Sequence, residues 1–314
     1  MTRKPPMLRP WRPRDGRRAA ALAAFAAIAS AALPAAAQAS ALDLYYERAV
    51  MSAADQNCHL FGPELAAALA SAQAQARGAA LRSGAGAATV DLVAERARRR
   101  MAQTPCGSPD IAKAAGRVRA AFEGYSRLQR MNFPGDTAGW AADRAVSRDG
   151  LRWNLSQTTD LGADRLTFGL AVWRGQTGLL AVAGLQDGVW PYAARLVLRD
   201  AARAPQPCLG LTAASTSARN LLAARMPPRS GTVSILAEAR EPAQASLLPG
   251  GADLGVAFRF PASAAATLAA LDPRETVAVE LLFATPSGRD EVRTAYIELG
   301  DFAAGRAFLG AVQR

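Results

Sequence analysis

Histidine and lysine are almost absent from this sequence, and both shortages limit the chemistry it can perform. His59 is the only histidine, so a Ser-His-Asp or Cys-His catalytic site must use this residue or work without a histidine. Lys4 and Lys113 are the only lysines, so nearly all of the 37 basic residues are arginine. Together with the many alanines, this preference is typical of a GC-rich bacterial genome. It does not by itself indicate phosphate recognition.

Sequence motifs of catalysis and nucleotide binding are also missing. There is no Gly-x-Ser-x-Gly elbow and no Ser-x-x-Lys set. The glycine-rich segment 83–88 lacks the Gly-Lys-Ser/Thr ending of a phosphate-binding loop. No cysteines or histidines have the close spacing of zinc ligands, so we expect no metal and no cofactor. Any enzymatic activity would have to use carboxylates, whose separation a sequence does not show.

One long apolar run is present, and it lies near the N-terminus. Arg17 and Arg18 precede the apolar stretch 19–33, and residues 37–39 (Ala-Gln-Ala) have the small-x-small pattern that signal peptidase cleaves. This order predicts a secretory signal peptide over residues 1–39, with a retained N-terminal anchor as the alternative. No second run reaches the length of a membrane span. We therefore expect a periplasmic or secreted protein with no transmembrane span after signal removal.

The net charge of +11 overstates how basic the exported chain would be. The predicted signal peptide holds seven basic residues and one acidic residue, so the remainder is only mildly basic. Export also argues against a nucleic-acid partner. The three cysteines, Cys58, Cys106 and Cys208, all follow the signal peptide and would lie in an oxidising compartment.

Residues 40–131 have the apolar spacing of a small helical bundle. The pattern predicts four helices, over about 42–56, 63–81, 89–103 and 109–131, with short connections. Cys58 follows the first helix and Cys106 lies between the third and fourth. A disulfide between them would clamp the bundle, and two buried free thiols are the alternative. Cys208 remains as an unpaired thiol.

From residue 151 onward, the apolar period changes from about 3.6 to 2. About eight strands separated by turn signals predict an antiparallel β-sandwich or strongly bent sheet over 151–314. Short helices are expected at 261–271 and after Asp301. Residues 132–150 are predicted to be a linker. The expected fold class is therefore α+β, with a helical bundle followed by a β-rich domain that carries one or two packed helices.

The densest basic cluster after the signal peptide lies on the third predicted helix. Arg96, Arg99 and Arg100 share one helical face, with Arg98 beside them. This face is either a solvated side of the bundle or a contact site for an anionic envelope surface such as lipid phosphates. We expect an exported, non-catalytic protein that binds a cell-envelope partner: protein, anionic lipid or polysaccharide. A small-ligand or lipid carrier and a carboxylate-dependent hydrolase are the alternatives.

Overall fold

The computed structural model describes residues 33–145, 152–173, 175–186, 188–209 and 217–310 and shows an α+β protein. A helical region comes first, two antiparallel sheets follow, and a short helix ends the described chain. Residues 1–32, which contain most of the predicted signal peptide, lie outside the described residues.

Four helices form the helical region in the predicted order, but the first begins at Leu33, well before its predicted start near residue 42 and within the predicted signal peptide. They are α1 (Leu33–Cys58), α2 (Pro63–Arg82), α3 (Ala87–Ala102) and α4 (Pro109–Phe122). Pro63 and Glu64 begin α2, because proline is tolerated in a first turn and an acid there complements the helix dipole. Gly84 follows the end of α2 with a φ of 98°, a conformation that favours glycine.

The fourth helix is shorter than predicted. The expected end was near residue 131, but α4 stops at Phe122 and residues 125–127 form a single 3₁₀ turn. Tyr125 packs edge-to-face against Phe122 and against Phe308, with ring centroids 5.7 and 5.5 Å apart. These contacts with the C-terminal part of the chain, together with Gly124, outweigh the local helical spacing.

Eleven strands in the described part of the chain form the two sheets. In chain order they are β1 (Arg130–Phe133), β2 (Trp140–Asp143), β3 (Trp153–Leu161), β4 (Asp164–Trp173), β5 (Gln176–Gly184), β6 (Ala193–Arg199), β7 (Thr232–Leu236), β8 (Ala239–Pro242), β9 (Gly255–Phe260), β10 (Thr276–Phe283) and β11 (Glu291–Glu298). The larger sheet has the order β1-β2-β3-β4-β5-β9-β8, and the smaller one has the order β11-β10-β6-β7. Every strand pair is antiparallel.

Strands β1 and β2 occupy part of the segment that was predicted to be a linker. Phe133 of β1 lies opposite Trp140 of β2, and β2 continues the sheet by pairing with β3. Both aromatic side chains are fully buried in the core. Four-residue strands on either side of a Pro-Gly-Asp turn are too short to show a clear period of 2. Residues 146–150 of the expected linker lie outside the described residues.

The main core lies between the two sheets, and strands β4 and β5 are buried on both faces. One face contributes Phe168 and Leu179 to the main core. The other packs against a separate apolar cluster that includes Trp173, Leu180 and Leu247. Burial on both sides explains why the sequence of β5 is a continuous apolar run rather than an alternating one.

Three further helices accompany the sheets: α5 (Ala218–Ala224), α6 (Ala262–Ala270) and α7 (Phe302–Leu309). The sequence predicted α6 and α7 but not α5. Helix α7 lies between α2 and the larger sheet. At Gly305 a β-carbon would lie only 2.5 Å from the Leu155 side chain, so the absence of a side chain allows α7 to pack closely on the sheet.

Candidate functional site

The predicted disulfide is present. Cys58, the last residue of α1, is bonded to Cys106 in the α3–α4 connection, and their Cα atoms are 5.5 Å apart. The bond therefore ties the end of the first helix to the start of the fourth. His59 follows it in an exposed position, with a φ of 51°. Cys208 is half-buried and forms no disulfide.

The arginines of α3 are exposed, and the structure brings two of the three candidate contact residues together. Arg96 stacks over the ring of Tyr46, with 5.3 Å between the guanidinium carbon and the ring centroid. Arg100 donates a hydrogen bond of 3.2 Å to the hydroxyl oxygen of the same tyrosine. Tyr46, on α1, was not singled out from the sequence. It orders two flexible cations on one surface.

The third candidate, Arg99, lies beside Glu95, with a nitrogen–oxygen separation of 3.5 Å. Arg98 shares that carboxylate at 2.8 Å. Glu95 is therefore the single acid among residues 95–100, which include four arginines, and this helix surface carries an excess of positive charge. Leu92, one turn before Arg96, is 65% exposed and adds an apolar side chain to the same surface. We call Leu92, Arg96, Arg99 and Arg100 the α3 basic face.

A second feature is the junction between helix α2 and the sheet region. The Ser71 hydroxyl donates a hydrogen bond of 2.9 Å to the carbonyl of Ala304 in α7. Arg82 forms a bidentate ion pair with Asp301, the residue that precedes α7, with nitrogen–oxygen distances of 2.8 and 3.0 Å. Asp301 is only 3% exposed. The helical region is therefore attached to the sheets by buried polar contacts as well as by packing.

Glu298, at the end of β11, is the most enclosed acid of this junction. Its carboxylate accepts hydrogen bonds from the backbone N–H groups of Asp136, Thr137 and Ala138 and from the Thr137 hydroxyl. Three successive N–H groups around one carboxylate form an anion nest that the protein itself fills. At Gly135 a β-carbon would overlap that carboxylate, so this turn needs a glycine.

The remaining acids near the junction also have cationic partners. Asp136 pairs with Arg225 at 2.9 Å. Asp143, at the end of β2, pairs with Arg130 at 2.9 Å. Burial raises the pKa of Asp301, Arg82 lowers it, and the neighbouring carboxylates raise it further, so the net shift is upward. A hydrolytic carboxylate pair needs two acids that face an open substrate site. Glu298, Asp301, Asp136 and Asp143 are all held by partners within the protein.

Two solvent-open clefts flank α7, and sequence reasoning identified neither. The first, of about 370 Å³, lies between α2, the end of α6 and the first turn of α7, and Tyr45 and Arg77 line it. The second, of about 460 Å³, lies between α6, α7 and strands β4 and β5, and Arg306 is the only charged residue in its lining. Gln73 and Arg77 do not stand out in the sequence, because the cleft exists only when α2 meets α6 and α7.

Within the described residues, no group of three or more histidine, cysteine, aspartate or glutamate side chains is arranged to hold a metal ion. The same part of the chain contains no helix that is both long enough and apolar enough to cross a membrane. Comparisons with protein-family models, with curated proteins and with solved structures found no match.

Proposed function

We propose that this chain is an exported, non-catalytic protein of the bacterial cell envelope that binds phosphate-bearing lipid surfaces through the α3 basic face. The observation that carries the proposal is the exposure of four neighbouring arginines with a single acid among them. Arginine on an exposed helix is attracted to anionic lipid head groups over roughly one Debye length, each cation near the surface contributing about 1 kcal/mol.

Two further features support a surface contact rather than a merely solvated helix. Tyr46 holds Arg96 and Arg100 side by side, which reduces the entropy lost when both meet the same surface. The exposed Leu92 supplies an apolar group that can enter the head-group region beside the arginines. Export is supported by the N-terminal pattern of the sequence, and the Cys58–Cys106 disulfide suits an oxidising compartment.

The test is vesicle co-sedimentation of the triple variant Arg96→Gln, Arg99→Gln, Arg100→Gln. The unmodified protein is expected to bind vesicles containing phosphatidylglycerol, to bind neutral vesicles weakly, and to dissociate as salt rises. Loss of three contacts of about 1 kcal/mol each lowers the partition coefficient roughly 100-fold. A parallel measurement with lipopolysaccharide micelles shows whether the protein prefers lipopolysaccharide phosphates or phosphatidylglycerol.

A matched control removes the same charge from another surface. Arg165, Arg219 and Arg289 are exposed in the sheet region and form no ion pairs within the described residues. The triple glutamine variant at these positions is expected to bind phosphatidylglycerol nearly as well as the unmodified protein. Equal losses in both triple variants would show that overall charge, not the α3 basic face, drives binding. Absence of binding to both phosphatidylglycerol and lipopolysaccharide would refute the proposal.

A further inference from the structure

The first cleft beside α7 is a candidate small-molecule site that is separate from the α3 basic face. Its volume of about 370 Å³ falls in the range of ligand pockets in proteins. One wall is a stripe of α2, comprising Ala70, Gln73, Ala74 and Arg77. These positions recur at the spacing of one helical face, and the two alanines leave the space that larger side chains would fill.

The opposite wall combines apolar side chains with helix ends. Leu268 and Ala269 of α6 and Phe302 of α7 provide the apolar surface. The first turn of α7, with the positive end of its helix dipole, borders the cleft, and the last turn of α6 lies on the other side. A ligand here meets an apolar wall beside a helix N-terminus.

Arg77 decides the sign of the charge that the cleft accepts. It is half-buried, and its guanidinium forms no hydrogen bond or ion pair with any described residue. The nearby acids are already neutralised, because Asp301 is held by Arg82 and Asp272 by Arg274 at 2.9 Å. Among the described residues, the Arg77 guanidinium therefore has no direct ion pair, and its charge acts on Asp272 and Tyr45 only at a distance.

Two neutral polar groups lie beside that guanidinium. Tyr45 is 4% exposed, and burial raises the pKa of its hydroxyl, although the charge of Arg77 opposes this shift. The phenol stays protonated at neutral pH and can donate a hydrogen bond. Gln73, on the turn of α2 before Arg77, shares a hydrogen bond with the Tyr45 hydroxyl, and its amide group retains further hydrogen-bonding capacity for a ligand. An arginine with two neutral donors suits the planar oxygens of a carboxylate or the oxygens of a phosphate group.

We propose that this cleft binds a small amphipathic anion, in which a carboxylate or phosphate group pairs with Arg77 and an apolar body lies against Leu268, Ala269 and Phe302. The site uses none of the arginines of α3. Its failure would leave the envelope-contact proposal intact, and failure of the envelope contact would leave this site intact.

Titration calorimetry on the purified protein with octanoate, octyl phosphate and octanol tests the proposal. Saturable binding of either anion, at least about tenfold tighter than octanol, is expected because charge-assisted hydrogen bonds to Arg77 form only with the anions. The two anions distinguish a carboxylate ligand from a phosphate ligand. Equal affinities for all three compounds, or no saturable binding of either anion at millimolar concentration, would overturn the proposal.

Two variants locate the site. Arg77→Gln is expected to weaken anion binding about tenfold or more and to leave octanol binding unchanged. Arg165→Gln, which removes the same charge from an exposed position in the sheet region, is the matched control and should bind as the unmodified protein does. Ala74→Leu fills the cleft and is expected to abolish binding of all three compounds. An unchanged midpoint temperature of thermal unfolding would show that this variant keeps its fold. If anion affinity is unchanged in both Arg77→Gln and Ala74→Leu, the site is elsewhere and the assignment is wrong.

Discussion

The helical region and the sheet region are held together by different means. The core of the sheets is continuous and contains many large aromatic side chains, among them Phe133, Trp140, Phe168, Phe302 and Phe308. The helices have three small clusters instead, in which alanine predominates. Because the free energy of burial scales with apolar area, an alanine contributes far less than a phenylalanine. The helices therefore depend more on the Cys58–Cys106 bond and on their attachment to α7.

This difference predicts unequal stability across one chain. A region with little buried apolar area opens locally at a lower free energy than a region with a large core. Both candidate binding surfaces lie on the less stable side or at its border: the α3 basic face on the helices and the Arg77 cleft where α2 meets α7. The predictions below test whether the two regions respond separately.

The largest effect is expected at the centre of the sheet core. Trp140 is 1% exposed, its ring lies 4.9 Å from that of Phe302, and its indole N–H donates a 2.8 Å hydrogen bond to the Leu299 carbonyl. Trp140→Ala leaves a large cavity and removes this buried hydrogen bond, so it should lower the free energy of unfolding by about 5 kcal/mol. Denaturant unfolding measures the change.

The control for this prediction is the exposed Trp190, which is 40% accessible. Trp190→Ala is expected to change the unfolding free energy by less than about 1 kcal/mol. Similar losses at both positions would mean that the aromatic core does not dominate the stability of the sheets.

The sequence predicted the features of this fold that depend on local pattern. Helices α1 to α3, the period-2 strands and the helix after Asp301 follow from residue spacing, and the disulfide follows from cysteine placement. The early end of α4 depends on the contact of Tyr125 with Phe308, which is far away in the sequence. The pairing of β1 with β2 depends on the burial of Trp140 in a core built from distant parts of the chain. Long-range contacts of this kind override local propensity.

Of the two candidate binding surfaces, one could be predicted from local sequence pattern and the other depends on long-range contacts. A helical wheel was enough to group Arg96, Arg99 and Arg100, because these residues lie on one helix. The cleft around Arg77 combines α1 and α2 with α6 and α7, and the two pairs of helices are far apart in the chain. No spacing within α2 distinguishes Arg77, whose side chain forms no ion pair with any described residue, from Arg82, which pairs with Asp301. Only the packed structure shows which of the two arginines is paired.

The second prediction concerns the disulfide. Cys58 and Cys106 are separated by 48 residues, and closing a loop of this length stabilises the folded state by about 4 kcal/mol in the chain-entropy account. In the double variant Cys58→Ser, Cys106→Ser, we expect amide hydrogen exchange to accelerate in α1–α4 while β3, β4 and β5 keep their protection. Native-state exchange followed by mass spectrometry measures both regions in one sample.

Cys208→Ser provides the control, since this half-buried cysteine forms no disulfide, and its expected effect is within about 0.5 kcal/mol. If loss of the disulfide accelerates exchange equally in the helices and in β3–β5, the two regions unfold as one cooperative unit. The comparison on which these predictions rest would then be wrong.

The smallest effect is a difference in pH dependence between two buried acids near the border of the regions. Asp301 links α2 to α7 through Arg82, whereas Asp272 pairs with Arg274 two residues later in the chain. Burial and the neighbouring carboxylates raise the pKa of Asp301 above its ordinary value of 3.8 despite Arg82. Burial would also raise the pKa of Asp272, but the hydrogen bonds and charge of Arg274 outweigh it, so that pKa is lowered.

These opposite shifts give opposite slopes of stability with pH. The folded state binds the Asp301 proton more tightly than the unfolded state does, so the contribution of Asp301 declines as pH rises from 3.8 through its folded pKa. The contribution of Asp272 is present above 3.8 and is lost as pH falls through its lower folded pKa.

Asp301→Asn should therefore cost less stability as pH rises above 3.8, and Asp272→Asn should cost less as pH falls below it. Denaturant unfolding of both variants between pH 3 and pH 7 measures the slopes. Slopes of the same sign would contradict the opposite pKa shifts of Asp301 and Asp272.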